Sequence, residues 1–380
     1  MTQRRNRLAT SLWPLLVGLA TLVGSACQTT AQGARPPHHT DDGYRNNYPH
    51  EQHGFGGVLK WKLGQLVGLE PERADPELFT YTLADNDPAW LRANHSKATV
   101  TWIGHSTLLL QIAGVNILTD PHFTERASPV DWAGPMRYVP PGLALTDLPP
   151  IDIVVISHNH YDHLDLDSLR ALNEQWAPAH RPTFFVPLKN GELLRGEGIE
   201  QVVELDWWES RTFRDLTVES VPVQHFSART PWDRNETLWA GWVILHPTFR
   251  FYFGGDTGYS QDFQDVGARL GPFDLAALPI GAYEPRWFMR SMHINPAEAV
   301  QAHTDLRANR SIAMHWGTFA MTDEPLDEPP RALYEALAAA GIPQERFWVF
   351  QHGETGVLEP SPQPPVQVAS PGTTDHDPAQ

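Results

Sequence analysis

Apolar residues in the middle of the chain fall into short runs that end abruptly in polar side chains. The clearest run spans residues 151–156 and reads IDIVVI, with β-branched residues at most positions. Such a run is typical of a strand that is buried on both faces of a covered sheet. It is followed at once by SHNHYDHLD, which is rich in ligand-type side chains. The pattern therefore predicts a buried strand whose carboxyl end opens into a candidate active site.

Upstream of this strand, the chain predicts a β-meander. Residues 98–119 read as strands broken at Gly104 and again at Ala113 and Gly114, and the positions 108, 110 and 112 alternate with 109 and 111. The meander leads to Asp120, whose carboxylate could accept the second N–H of a metal-bound imidazole and so fix its tautomer. An ordinary turn aspartate before Pro121 is the alternative. For His105, at one of the breaks, we favour a buried, hydrogen-bonded core residue.

Downstream, strands alternate with helices, which predicts an α/β fold. The predicted helices are 166–176, capped by Asp165 or Asp167, a second that starts in a capping box at 295–298, and 331–340, which ends at Gly341. The predicted strands are 183–187, 218–223, 250–253, 275–278 and 311–314. The order strand, helix, strand is visible from the first cluster onward.

Three of these later strands end as the first one does. His225 follows one strand, Asp256 lies among glycines after another, and His315 follows a third. Taken singly, each is more readily explained as a strand-end, turn or core residue. Because the same order of apolar strand and then ligand recurs four times, we predict that these side chains share one rim of the sheets.

The first cluster places four ligand-type residues within six positions: His158, His160, Asp162 and His163. Imidazole and carboxylate ligands suit borderline metals such as zinc. With the three later residues the set has seven members, whereas one tetrahedral ion accepts four ligands. The sequence therefore predicts two metal ions. A histidine-rich surface loop that binds nothing is the alternative.

The charge of the chain limits its partners. The 380 residues include 28 Lys and Arg against 45 Asp and Glu, so the formal net charge is −17. This balance argues against nucleic acid and against broad docking on anionic lipid, since both need clustered cations. An anionic substrate would need a local positive site, which bound metal ions can provide.

The amino-terminal residues 1–27 predict an export signal, because three arginines precede an apolar segment and a group of small residues. The only cysteine, Cys27, stands where a bacterial lipoprotein signal has its acylated residue, although Gly24 replaces the usual Leu. We favour a lipoprotein anchored in the cell envelope, at the periplasmic face of the outer membrane. An ordinary cleaved signal or an uncleaved membrane anchor is the alternative.

Two polar segments flank the expected catalytic domain at 56–358. Residues 28–55 are rich in Pro, Gly, His and Asn without apolar periodicity, which predicts a flexible tether with solvated histidines. Residues 359–380 are rich in Pro and predict a disordered tail.

Several longer motifs occur in a characteristic order: TWIGHST, LTDPHF, RASP, LPPIDIVVISHNHYDHLD, ELDWWE, GGDTGY, GPFDLAALPIGAYEPRWFM and MHWGTFA. With them the chain resembles the N-acylphosphatidylethanolamine-hydrolysing phospholipase D family of the metallo-β-lactamase superfamily. The resemblance covers residues 44–353. It implies a four-layer αββα sandwich with a dinuclear zinc site.

By position, the resemblance also implies a role for each site residue. One Zn²⁺ would be bound by His158, His160 and His225, the other by Asp162, His163 and His315, and Asp256 would bridge the two. Tyr161 and His293 match residues that the family uses at the phospholipid headgroup. One departure lies next to the second of these, because Met292 stands where animal members of the family carry Gln.

The reaction implied is hydrolysis of N-acylphosphatidylethanolamine to N-acylethanolamine and phosphatidic acid. Asp162, Asp256 and His293 would be the catalytic residues, with His293 as an acid or a phosphate clamp. The expected partners are the phospholipid substrate and a membrane surface reached through the lipid anchor, and a homodimer remains open. The alternatives are a lactonase of the ascorbate-phosphate lactonase type and a tethered binding protein with a vestigial site.

Overall fold

The computed structural model describes residues 35–68 and 75–359. The predicted export signal with Cys27 and the residues of the predicted tail from 360 onward lie outside the described residues. Within the described ranges, no helix combines the length and the apolar character needed to cross a membrane.

The part of the chain that the structure describes contains fourteen strands and eight α-helices. The strands are β1 (Ala98–Gly104), β2 (Thr107–Ile112), β3 (Val115–Thr119), β4 (Ile153–Val155), β5 (Thr183–Pro187), β6 (Val202–Leu205), β7 (Ser210–Phe213), β8 (Leu216–Val221), β9 (Gly241–His246), β10 (Phe249–Phe253), β11 (Leu275–Pro279), β12 (Ser311–Met314), β13 (Phe347–Trp348) and β14 (Thr355–Leu358). The helices are α1 (Phe55–Leu66), α2 (Pro88–Ala93), α3 (Leu166–Gln175), α4 (Gly191–Gly196), α5 (Asp262–Leu270), α6 (Arg286–Met289), α7 (Pro296–Asp305) and α8 (Glu328–Ala340).

The strands form two seven-stranded sheets with matching topology. The first has the order β14-β1-β2-β3-β4-β5-β6, and the second has the order β13-β12-β11-β10-β9-β8-β7. In the first sheet β14, β1, β2 and β3 pair antiparallel, and β3, β4, β5 and β6 pair parallel. The second sheet repeats this pattern, with antiparallel pairs from β7 to β10 and parallel pairs from β10 to β13.

The side chains of β2 show how the layers form. Leu108 and Leu110 point into the core between the two sheets, whereas Leu109 packs with Leu169 and Leu172 of α3. This alternation follows from the period of two along a strand. Helices α2, α3 and α4 cover the outer face of the first sheet, and α5, α7 and α8 cover the second. The αββα sandwich expected from the resemblance is therefore confirmed.

Several predicted elements are reproduced closely. Strands β5 and β12 begin and end at the predicted residues, and the predicted meander forms β1, β2 and β3. Helix α7 starts with the predicted capping box, in which Asn295 accepts a hydrogen bond from the Glu298 N–H and the Glu298 carboxylate accepts one from the Asn295 N–H. Asp165 is the N-cap of α3, but its carboxylate accepts from the Ser168 hydroxyl and caps no backbone N–H.

The expectation of a flexible tether with solvated histidines over residues 28–55 is wrong for its later part. His38 is buried, and its Nε2 lies 2.6 Å from Oδ1 of Asp206. His39 lies 2.7 Å from the other carboxylate oxygen, and Tyr44 is buried. Composition suggested a tether because these contacts are polar and long-range, so they leave no apolar periodicity in the sequence.

Candidate metal centre

Three of the predicted histidines form one compact group. His158 and His160 follow β4, and His225 follows β8. Nδ1 of His160 lies 2.7 Å from Nε2 of His158 and 3.3 Å from Nε2 of His225. One ring nitrogen from each of the three histidines lies within 4.8 Å of a ring nitrogen of the other two, which is close enough for all three to bind one metal ion.

A second group contains Asp162, His163 and His315. Oδ2 of Asp162 lies 3.1 Å from Nε2 of His163 and 3.4 Å from Nε2 of His315. All three residues are buried. The turn after β4 and the end of β12 therefore bring these side chains together, on the same rim of the sheets as the first group.

Asp256, which follows β10, lies between the two groups. Its Oδ1 is 3.0 Å from Nε2 of His315, and its Oδ2 is 3.1 Å from Nε2 of His163. The same Oδ2 is 3.9 Å from Nε2 of both His158 and His225. One carboxylate thus faces both groups, which is the arrangement expected of a residue shared by two ions.

The donor atoms of this cluster fit metal ions better than they fit one another. Nε2 of His163, Nε2 of His315 and Oδ1 of Asp256 are buried without a hydrogen-bond partner. Buried polar atoms without partners are rare and costly, so a group that satisfies several of them at once is expected here. Divalent cations meet that requirement, since these atoms are imidazole nitrogens and a carboxylate oxygen.

The protonation states of the first histidine group and of the two aspartates suit metal binding, whereas the two carboxylates raise the pKa of His163 well above its usual range and that of His315 to about 9. Burial lowers the pKa of His158 and His225 well below the usual range and that of His160 to about 4, so the three imidazoles are neutral. Burial alone would raise the pKa of the two aspartates. For Asp162 and Asp256 the neighbouring histidines, His163 above all, hold the pKa well below its usual range. Both carboxylates are therefore ionised.

Asp120 orients one of these histidines, as the sequence predicted. Its Oδ2 lies 2.7 Å from Nδ1 of His163. The same carboxylate accepts hydrogen bonds from the N–H of Ser157 at 2.7 Å and from its hydroxyl at 2.5 Å. A carboxylate that holds the far nitrogen of a ligand imidazole fixes its tautomer and ring orientation.

His105 lies closer to the candidate metal centre than its prediction as a core residue suggested. It is buried and hydrogen-bonded, as predicted, but its partner is Oδ2 of Asp162, 2.9 Å from His105 Nε2. Its backbone N–H donates to the hydroxyl of Thr318. The sequence contains a signal for this position, because GHST follows a strand in the same way as the predicted metal ligands follow theirs.

The amino-terminal segment holds the predicted ligand His225 in place. The Asn46 side chain donates to the His225 carbonyl at 2.8 Å and accepts from the His225 N–H at 3.0 Å. On the other side, Nδ1 of His225 lies 2.9 Å from the carbonyl oxygen of Met292, within hydrogen-bond range. Sequence reasoning missed Asn46, because it is 179 positions from its partner and lies in an asparagine-rich stretch with no pattern of its own.

The two predicted substrate residues lie beside the cluster. Nδ1 of His293 is buried without a hydrogen-bond partner, 3.8 Å from Oδ2 of Asp256. Burial lowers the pKa of His293 to about 4, so the ring is neutral. The Tyr161 hydroxyl donates to the Arg229 carbonyl at 3.2 Å, and the Arg229 guanidinium lies 3.9 Å from the centre of the Tyr161 ring.

Two seven-stranded sheets between helical layers, with a buried His and Asp cluster on one rim, define a metal-dependent hydrolase of the αββα class. Residues 115–316 match the family model described as a beta-lactamase superfamily domain. The chain belongs to the metallo-β-lactamase superfamily.

Relatives and solved structures agree with this assignment. An uncharacterized protein of Mycobacterium tuberculosis is 47% identical over 262 residues, which cover 68% of each chain. The N-acyl-phosphatidylethanolamine-hydrolyzing phospholipase D 1 of Caenorhabditis elegans is 46% identical over 253 residues, which cover 63% of this chain and 69% of the relative. A possible metal-dependent hydrolase from Veillonella parvula has a TM-score of 0.55 at 20% identity, covering 69% of this chain and 100% of that one, and this likeness supports the fold alone.

Proposed function

We propose that this protein is a phosphodiester hydrolase of the phospholipase D type, which cleaves N-acylphosphatidylethanolamine to N-acylethanolamine and phosphatidic acid. The observation that carries the proposal is the position of Asp256, whose carboxylate faces both histidine groups at 3.0 to 3.9 Å. The similarity to the nematode phospholipase D narrows the substrate class, since it extends over 63% of this chain.

In this proposal the two groups hold two Zn²⁺ ions. His158, His160 and His225 would bind one ion, Asp162, His163 and His315 the other, and Asp256 would bridge them. When bound, such an ion pair supplies positive charge for an anionic phosphodiester and a water of lowered pKa as nucleophile. The protein's own contribution is to keep the imidazoles of His158, His160 and His225 neutral and the carboxylates ionised in a buried site.

His293 and Tyr161 would hold the substrate around the metal centre. His293 lies just before α7, buried beside Asp256 and without a partner for its Nδ1. A neutral imidazole in this position can donate a hydrogen bond to a phosphate oxygen or to the leaving oxygen. Tyr161 is half-buried next to the ligand His160, with its ring held by Arg229.

The proposed reaction is hydrolysis of the bond between phosphorus and the ethanolamine oxygen of the substrate. The oxygen of water adds to phosphorus, and the bond between phosphorus and the ethanolamine oxygen breaks. One proton of the water ends on the leaving oxygen, which departs as N-acylethanolamine, and the other stays with the phosphate group, which gives phosphatidic acid. His293 is the group outside the predicted metal ligands that we assign to the phosphate or to the leaving oxygen.

The proposal also includes the location of the enzyme in the cell. We propose that the chain is exported and anchored to a membrane of the cell envelope through Cys27, which would place the metal centre next to its phospholipid substrate. Replacement of Cys27 by Ser should release the protein from the membrane fraction or block signal processing. A variant that fractionates and migrates like the wild type would contradict the anchor.

Product analysis tests the reaction directly. The purified, metal-loaded protein should convert diacyl N-acylphosphatidylethanolamine to N-acylethanolamine and phosphatidic acid, as identified by mass spectrometry, and a chelator should abolish the conversion. A lactone panel run in parallel serves as the comparison. Turnover of lactones without any release of N-acylethanolamine would overturn the proposal.

A further inference from the structure

The segment 226–236 carries two arginines with different surroundings. The guanidinium of Arg229 donates to the carbonyls of Asn159 and Leu164, each at 2.9 Å, and so braces the backbone around the predicted ligands. Arg234 is exposed and, among residues 35–68 and 75–359, it has no hydrogen bond or ion pair. Arg229 is therefore committed to the fold, whereas Arg234 is available to bind a ligand.

Arg234 is held close to the metal centre by an aromatic ring. Its guanidinium carbon lies 3.9 Å from the centre of the Phe226 ring. The Phe226 ring centre lies 4.5 Å from that of His160 and 5.0 Å from that of His225. One phenyl ring thus separates the guanidinium from two predicted metal ligands.

The charge of Arg234 is not balanced locally. The nearest acidic residue in sequence, Asp233, accepts hydrogen bonds from the N–H groups of Arg229 and Thr230. Desolvation by neighbouring groups lowers the pKa of Arg234, and no carboxylate raises it. A guanidinium that is stacked on an aromatic ring keeps its planar fork free for an anion.

We propose that Arg234 and Phe226 form an anion-binding subsite beside the metal centre, and that this subsite binds a phosphate group. The guanidinium fork matches the geometry of phosphate oxygens and can bind two of them at once. The inference rests on the proposed function in one respect: there, the phosphate belongs to the phospholipid. In chemical terms the subsite recognises the phosphate itself, whether it comes from a lipid headgroup or from free phosphate.

Calorimetric titration of the metal-loaded, full-length protein tests the subsite with two probes, dihexanoyl phosphatidic acid and inorganic phosphate. Arg234→Gln should weaken the binding of both by about tenfold or more, because a hydrogen bond to a charged group contributes that much. It should also reduce the dependence of affinity on salt. Arg234→Lys should recover part of the affinity, since it keeps the charge and loses the fork.

Arg211→Gln is the matched control, because Arg211 is an exposed arginine on the edge strand β7. It should bind both probes like the wild type, and all variants should keep the wild-type metal content. Unchanged affinity of Arg234→Gln for both probes, or a wild type that binds neither, would overturn the subsite. If the wild type binds inorganic phosphate but no phosphatidic acid, and Arg234→Gln weakens that binding, the subsite stands and the proposed lipid substrate fails.

Discussion

Nδ1 of His163 lies 2.7 Å from Oδ2 of Asp120, while Nε2 of the same ring faces Asp162 and Asp256 at 3.1 Å each. One imidazole therefore connects the end of β3 to the two carboxylates of the metal centre. Asp120 thus fixes the orientation of a predicted ligand from the side of the ring that faces away from Asp162 and Asp256.

Asp120→Asn should weaken metal binding. The amide keeps the size of the side chain but no longer offers a carboxylate to both His163 and Ser157. Loss of such a partner typically costs 10- to 100-fold in metal affinity, and we expect a loss in that range in competition with a chromophoric chelator. Asp167→Asn, on the exposed side of α3, is the control and should bind metal like the wild type. Equal affinity of the two variants would contradict the orienting role.

His105→Asn should reduce turnover through Asp162. His105 has a φ of 51°, and asparagine is among the residues that tolerate this region best. The shorter side chain should lose the 2.9 Å contact with Oδ2 of Asp162 without straining the backbone. We expect lower turnover and weaker metal retention during dialysis. His105→Gln, which can extend further toward the carboxylate, should restore part of both, and its failure to do so would indicate a packing role alone.

Asn46→Ala should affect the metal centre as well as the fold. Its side chain makes two hydrogen bonds to the backbone of His225, and leaving such groups unsatisfied costs about 1–3 kcal/mol. We expect a lower free energy of unfolding and weaker metal binding, measured by chemical denaturation and by chelator competition. Asn47→Ala is the matched control, since Asn47 bonds to Asp262. It should lower stability only, and equal metal affinities for the two variants would refute the link to His225.

His293→Ala should spare the metal and damage the reaction. A positioned acid or clamp contributes about 10² to 10⁴ in rate, so turnover of N-acylphosphatidylethanolamine should fall by roughly that factor at unchanged metal content. A phosphodiester whose leaving group needs no proton should be less affected if His293 is the acid, and equally affected if it binds phosphate. Wild-type turnover by His293→Ala would show that His293 takes no part in the reaction.

The sequence predicted those parts of the site that follow apolar strands. The predicted ligands after β4, β8, β10 and β12 share one recurring pattern, because the end of a buried strand is where a polar side chain can reach a cleft. The same pattern placed Asp120 next to a ligand imidazole. The meander and the β5 strand were predicted for a related reason, since their burial produces regular apolar spacing.

The contacts made by the amino-terminal segment could not be predicted in this way. His38 and Asn46 bind partners that are 168 and 179 positions away. Such contacts consist of one or two hydrogen bonds between polar groups, and neither partner imposes a period on its own stretch of sequence. The contact of His105 with Asp162 was missed for another reason: a buried histidine with a hydrogen bond is equally well explained in a core or beside a metal ligand.

Metal reconstitution tests the central assignment most directly. Protein freed of metal should be titrated with Zn²⁺ while bound metal and release of N-acylethanolamine are followed together. The dinuclear assignment predicts that activity saturates near two equivalents per chain, and that Asp256→Asn binds less metal and turns over more slowly. Full activity at one equivalent, or full activity of the metal-free protein, would contradict it.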